Sequence, residues 1–144
     1  MESIGIFLTS GIADTNKQLL DFGVKGSDLE KLFYDGVEDS NLYICLYTFE
    51  DEDMRDEVLE VAPEYEFKTV IGIDIGRSPN SWLACLKLIS SLNYESTSCV
   101  LIDDSLGGFW RIEEIKNRVK KNGREFLESY VGEDEIERIW KNVA

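Results

Sequence analysis

The sequence predicts an α+β domain built on a mostly antiparallel sheet. Three observations lead there. Four short apolar runs, at residues 3–9, 42–49, 67–75 and 98–102, are rich in the β-branched and aromatic residues that suit strands. Other segments carry apolar residues at helical spacing, above all Trp82, Leu83, Leu86, Ile89 and Leu92. The chain has 144 residues, 43% of them hydrophobic, so it fits one domain and holds enough apolar mass for a core despite a net charge of −14.

Residues 3–9 read as a buried strand through Ile4, Ile6, Phe7 and Leu8, closed by Ser10-Gly11. Residues 12–26 are ambiguous: Leu19, Leu20 and Phe22 need burial, while Gly23 and Gly26 break the segment. Ser27 or Asp28 caps a short helix through Tyr34, with Leu29, Leu32 and Phe33 inward and Asp35-Gly36 as its stop. Residues 42–49 form the clearest strand. Residues 51–61 then suit one or two helical turns, with acids at the favourable N-terminal end and Pro63 as a stop. Residues 67–75 are the next strand, turned by Gly76-Arg77.

Ser78-Pro79 supplies an N-cap followed by proline at the first helical position. Cys85 and Leu88 widen the stripe of the helix that follows, so most of it should be buried. Residues 98–102 are the fourth strand. The sheet-forming core is therefore expected within residues 1–104, with residues 105–144 packing on it as helices. Gly107-Gly108 reads as a loop. Residues 111–122 suit a helix with Ile112, Ile115 and Val119 inward, ended by Asn122-Gly123. Phe126, Leu127 and Tyr130 continue a helical surface, and residues 133–143 form a last helix with Ile136, Ile139 and Trp140 on one face. The order β-α-β-β-α-β, with helices after it, resembles the ferredoxin-like split β-α-β arrangement. Another α+β meander with helices on one face is the alternative.

Charge is concentrated. Glu50, Asp51, Glu52, Asp53, Asp56, Glu57, Glu60, Glu64 and Glu66 face a single base, Arg55, so nine acids against one base put −8 on residues 50–66. Strands bound this block, and Tyr47, Phe49, Tyr65 and Phe67 lie beside it. Acids interleaved with aromatics suit a surface that docks onto Lys and Arg, so the partner-binding residues are expected to be these nine acids with Tyr47 and Tyr65. A merely solubilising loop is the competing reading. Residues 111–124 carry six bases and two acids, which a solvated helix face explains.

No histidine occurs in the chain. Ser-His-Asp and Cys-His catalysis are thereby excluded, as is a zinc set built on Cys and His. No nucleophile elbow or phosphate loop is present. Asp74, Asp103 and Asp104 at strand ends are the remaining option for divalent-metal phosphoryl chemistry; strand-exit residues are the plainer reading. No catalytic role and no cofactor are expected. Cys45, Cys85 and Cys99 sit in apolar runs and read as reduced core thiols. Trp110 and Trp140 suit either core packing or an interface anchor, and Asp103, Asp104 and Trp110 form a secondary candidate surface. The start of the sequence lacks a basic signal region, and no run reaches membrane-span length, so a cytoplasmic protein is expected. Such an anionic surface is repelled by anionic lipid and by nucleic acid, so neither is an expected partner.

The stretch Ile71-Gly-Ile-Asp-Ile-Gly76 resembles the first phosphate-binding hairpin of the actin and sugar-kinase superfamily and the opening strand of RNase H-like nucleases, over six residues only. Those families continue into a second strand, whereas Ser78-Pro79 here opens an apolar helix. The whole chain (short, acidic, α+β and without a catalytic constellation) resembles the small acidic immunity proteins of bacterial polymorphic-toxin and contact-dependent growth inhibition systems. No motif carries that resemblance, so no residue role transfers with it. It implies neutralisation of a basic cognate toxin, often a nuclease, by tight binding. A nucleic-acid mimic is the alternative, although mimicry asks for charge spaced along an elongated surface.

Overall fold

The computed structural model describes residues 2–92, 100–104 and 108–143, with the backbone alone at 100–104 and 129. The element order is β1 (Glu2–Leu8), α1 (Ile12–Phe22), β2 (Leu32–Tyr34), β3 (Leu42–Thr48), α2 (Arg55–Val61), β4 (Thr69–Ile75), α3 (Pro79–Ser91), β5 (Val100–Asp104), β6 (Gly108–Arg111), α4 (Ile112–Lys116) and α5 (Glu133–Val143). Short 3-10 turns add Phe49–Asp51 and Phe126–Ser129. The strands form one sheet in the order β2-β3-β4-β1-β5-β6, with every neighbouring pair antiparallel. The expected α+β domain with an antiparallel sheet is therefore present, with six strands among the described residues.

Period-two alternation sorts the sheet into two faces. Ile4, Ile6 and Leu8 of β1, Leu42, Ile44 and Leu46 of β3, and Ile71, Ile73 and Ile75 of β4 all join the main core. Register aligns them into rows, Ile44–Ile73–Ile4 and Leu46–Ile71–Ile6. Helices cover this face. In α3, Ser78 Oγ accepts from Asn80 N at 3.2 Å, and Trp82, Cys85, Leu86 and Ile89 are all buried. Trp82 stacks on Tyr130 with ring centroids 4.2 Å apart. The opposite face carries Tyr43, Cys45, Tyr47, Ser3, Gly5, Phe7, Val70, Gly72 and Asp74.

The ambiguous segment after β1 is helix α1. Gly23, at φ 118°, closes it by donating to the Leu19 and Leu20 carbonyls, which is the left-handed cap a glycine adopts without steric cost. Leu19 is buried as expected, but Leu20 is 46% exposed.

Three expectations fail for physical reasons. Residues 27–34 are not a helix: Asp28 Oδ1 accepts from Glu30 N at 3.0 Å in an Asx turn, and Leu32–Tyr34 then pairs with β3 as β2. The helix expected over 111–122 stops at Lys116. Asn122 and Gly123, at φ 53° and 80°, instead make the tight turn of a small hairpin closed by the Lys121–Arg124 bridge. The sheet also runs past residue 104, because Gly108–Arg111 is edge strand β6 rather than loop.

Candidate functional site

The acid block occupies the long β3–β4 connection, and its apolar residues decide where it sits. Met54, Val58 and Ala62 recur every fourth residue and turn inward with Phe49 and Phe67. They pack on Phe7 and Val70 from the open sheet face, forming a second, smaller core. Ring centroids of Phe7, Phe49 and Phe67 lie 5.6–6.3 Å apart. Glu50, Asp51, Asp53, Asp56, Glu57, Glu60, Glu64 and Glu66 are left exposed on the outside. Two like charges about 8 Å apart in water repel by roughly 0.5 kcal/mol. One buried Val or Phe contributes roughly 1.5–3 kcal/mol, so the apolar base outweighs a pairwise repulsion and holds the carboxylates on a packed platform.

The nine acids are not equivalent. Glu64 is ion-paired to Arg111 at 2.9 Å, which holds its carboxyl below the usual carboxylate range. The same guanidinium donates to the Tyr65 hydroxyl at 3.4 Å and lies 5.5 Å from the Tyr65 ring centroid. Asp51 accepts from Thr48 Oγ1 at 3.2 Å. Glu52 is half-buried and accepts from the Tyr47 hydroxyl at 3.0 Å; burial first, and then Glu52, push the Tyr47 phenol above its ordinary value. Glu50, Asp53, Asp56, Glu57, Glu60 and Glu66 make no ion pair or side-chain hydrogen bond with another described residue. Leu59 and Val61, 40% and 44% exposed, lie among them on α2. Sequence reasoning passed over these two; the signal was apolar residues off the inward four-residue stripe.

Of the secondary surface, only the Trp110 side chain is described. Trp110 is buried, with Lys121 Nζ 4.9 Å from its ring centroid and Phe126 edge-on at 5.9 Å, so it is core rather than an interface anchor. Asp103 pairs with Gly5 and Phe109, and Asp104 with Ile4 and Gly108, while their side chains lie outside what is described. Asp74 is not on a strand adjacent to theirs, as the metal reading requires. β1 lies between β4 and β5, which sets the backbones roughly 10 Å apart. Asp74 instead accepts from Ser3 Oγ at 2.5 Å. No group of three or more Cys, Asp or Glu is placed to hold a metal among the described residues.

The basic segment is not a free solvated face. Arg118 grips the buried Glu125 through Nε and Nη2 at 3.0 and 3.1 Å and reaches Glu137 at 2.7 Å, while Trp140 Nε1 donates to Glu125 at 3.2 Å. Lys121 pairs with Glu114 at 3.0 Å and Lys120 with Glu128 at 3.6 Å. These pairs fasten the C-terminal segments to each other, so their charge is spent within the fold.

The cysteines also separate. Cys85 is buried in α3, as expected. Cys45 is not a core thiol: alternation puts it on the open face, half-buried. Cys99 lies outside the described residues. No helix among the described residues is long and apolar enough to cross a membrane. No family model matches the sequence, and neither a curated protein nor a solved structure does.

Proposed function

We propose that the chain is a non-catalytic binding protein whose acid block docks onto a basic protein. The observation that carries this reading is the platform itself: six carboxylates without an ion pair or side-chain hydrogen bond among the described residues stand on a dedicated apolar core, with Leu59 and Val61 exposed among them. A solubilising loop needs no such base. Interfaces combine an apolar centre with a charged rim, and an anionic field speeds the approach of a cationic partner. The whole-chain likeness to immunity proteins makes a cognate toxin domain, a basic nuclease among the candidates, the partner of choice, and the cytoplasm the place of action. The same reading takes β1-α1-β3 and β4-α3-β5 as interleaved units of a ferredoxin-like core, with β2 and β6 added at the edges. The inner order β3-β4-β1-β5 supports it.

Growth rescue tests the proposal. A candidate toxin domain taken from the reading frame next to this chain, expressed alone, should arrest growth, and co-expression of the wild type should restore it. A variant with Asp53, Asp56, Glu57 and Glu60 changed to Lys should fold yet restore growth poorly. Equal rescue by that variant would remove the acid block from the interface.

A further inference from the structure

The acid block covers only one end of the open sheet face. Beside it lies a groove of about 770 Å³. Its floor is the row Cys45–Gly72–Gly5, aligned across β3, β4 and β1. The rows on either side carry Tyr43–Asp74–Ser3 and Tyr47–Val70–Phe7. Same-face rows lie about 7 Å apart along a strand, so the groove is a trench crossing the strands, with Tyr43 and Asp74 along one side and Tyr47 along the other.

Neither floor glycine is at positive φ, so backbone conformation does not account for them. A glycine inside a strand marks a close approach to the backbone, and here the fold's own side chains make it: a Cβ at Gly72 would lie 2.8 Å from Cys45 Sγ and one at Gly5 3.4 Å from the Phe7 ring, so the groove lies above these side chains. Here two such glycines face each other on central strands. The volume falls within the roughly 300–1,000 Å³ of small-ligand sites and is several times that of one side chain, which favours a small molecule over a residue of a docked protein.

The lining selects charge. Asp74, Glu52 and Glu30 border the groove, and Lys31 is the one base among its described lining residues. Ser3 Oγ orients Asp74, and the Tyr47 hydroxyl orients Glu52. A carboxylate with one donor keeps further acceptor sites. Tyr43 stands directly across from Asp74 in register, 48% exposed although its ring lies 5.4 Å from that of Phe33. An ammonium at Asp74 therefore meets a carboxylate and aromatic rings together.

We propose that this groove binds a small organic cation with a flat apolar body, an aromatic or alkyl amine, its body on the Gly5–Gly72 floor and its ammonium at Asp74. The proposal is independent of the acid block's partner. The test uses three probes of one shape, 4-phenylbutylamine, 4-phenylbutanol and 4-phenylbutyrate, titrated at physiological salt and followed by amide NMR and calorimetry. The amine should bind saturably, with shifts centred on Gly5, Gly72 and Cys45. It should bind about tenfold more tightly than the alcohol, with the carboxylate weakest, the gain expected of a cation placed against a carboxylate and a ring. Gly5→Val should fill the floor and abolish binding, and Asp74→Asn should erase the amine's advantage over the alcohol. Tyr43→Ala, at an exposed position, should weaken the amine severalfold and decides the matter if Gly5→Val does not fold. Absence of saturable amine binding, equal binding of amine and alcohol, shifts centred on residues 50–66, or indifference to Asp74→Asn and Tyr43→Ala would each overturn the proposal.

Discussion

Gly5 on β1 and Gly72 on β4 stand opposite each other at the centre of the sheet, with Cys45 of β3 beside Gly72 in the same row. A Cβ at Gly72 would lie 2.8 Å from Cys45 Sγ, whereas one at Gly5 would make an ordinary contact of 3.4 Å with the Phe7 ring. The two positions therefore differ in tolerance. Gly72→Ala should cost about 1–3 kcal/mol in urea unfolding, the usual range for overpacking. Most of that cost should vanish in a Cys45→Ala background, because the clash is with one sulfur. An undiminished cost there would locate the strain elsewhere.

The thiols should react in order of burial. Cys85 is fully buried and its thiol is pushed far up by burial, so it should stay unlabelled until the chain unfolds. Cys45 is half-buried in the groove, and its thiol is raised by burial and by the fields of Asp74, Glu30 and Glu52. It should alkylate in the native state, slowly at neutral pH and faster as pH rises. Mass spectrometry of the labelled peptides reads the order; Cys85 reacting first would contradict the face assignment of β3.

Leu86 is wholly buried in α3, at the centre of the main core. Leu86→Ala should lower stability by about 2–5 kcal/mol through lost burial and a residual cavity. A loss under about 0.5 kcal/mol, typical of surface positions, would mean that the α3 face is misplaced.

Arg118 hydrogen-bonds the Glu137 carboxylate and holds it below the usual carboxylate range. A depressed carboxyl stabilises the fold above its ordinary pKa, and that contribution disappears as pH falls through the folded value. The stability difference between wild type and Glu137→Gln should thus be present at neutral pH and shrink as pH falls below about 4. Urea midpoints across that window check the sign. A difference that grows on acidification would contradict the pairing.

Local chemistry made much of this fold legible. Ser78-Pro79 and the stripe from Trp82 to Leu92 mark α3, and the acids at residues 133–135 mark the start of α5. The spacing of Leu29, Leu32 and Phe33 fits a helix as well as a strand, and the choice was made by pairing with Tyr43 and Ile44, which local spacing does not reveal. Asn122-Gly123 likewise suits a helix end or a hairpin turn, and the Lys121–Arg124 bridge selects the second. The acid block was legible as composition. Which acids are internally engaged was not, because Arg111 reaches Glu64 from 47 residues away. The groove was hidden for the same reason: a glycine within each of two strand patterns is a weak signal until register brings Gly5 and Gly72 together.

The central claim is that the acid block steers a basic partner onto this protein. Stopped-flow association with the proposed partner, a basic toxin domain, run from low salt through physiological strength, tests it most directly. Wild type should associate fast at low salt and slow steeply as salt rises. The variant with Asp53, Asp56, Glu57 and Glu60 changed to Lys should keep its fold and associate about tenfold more slowly or worse, within the roughly 10–10³-fold range of electrostatic steering, with little salt dependence left. An unchanged rate and an unchanged salt slope in that variant would contradict the claim and leave residues 50–66 as a solubilising cover on the second core.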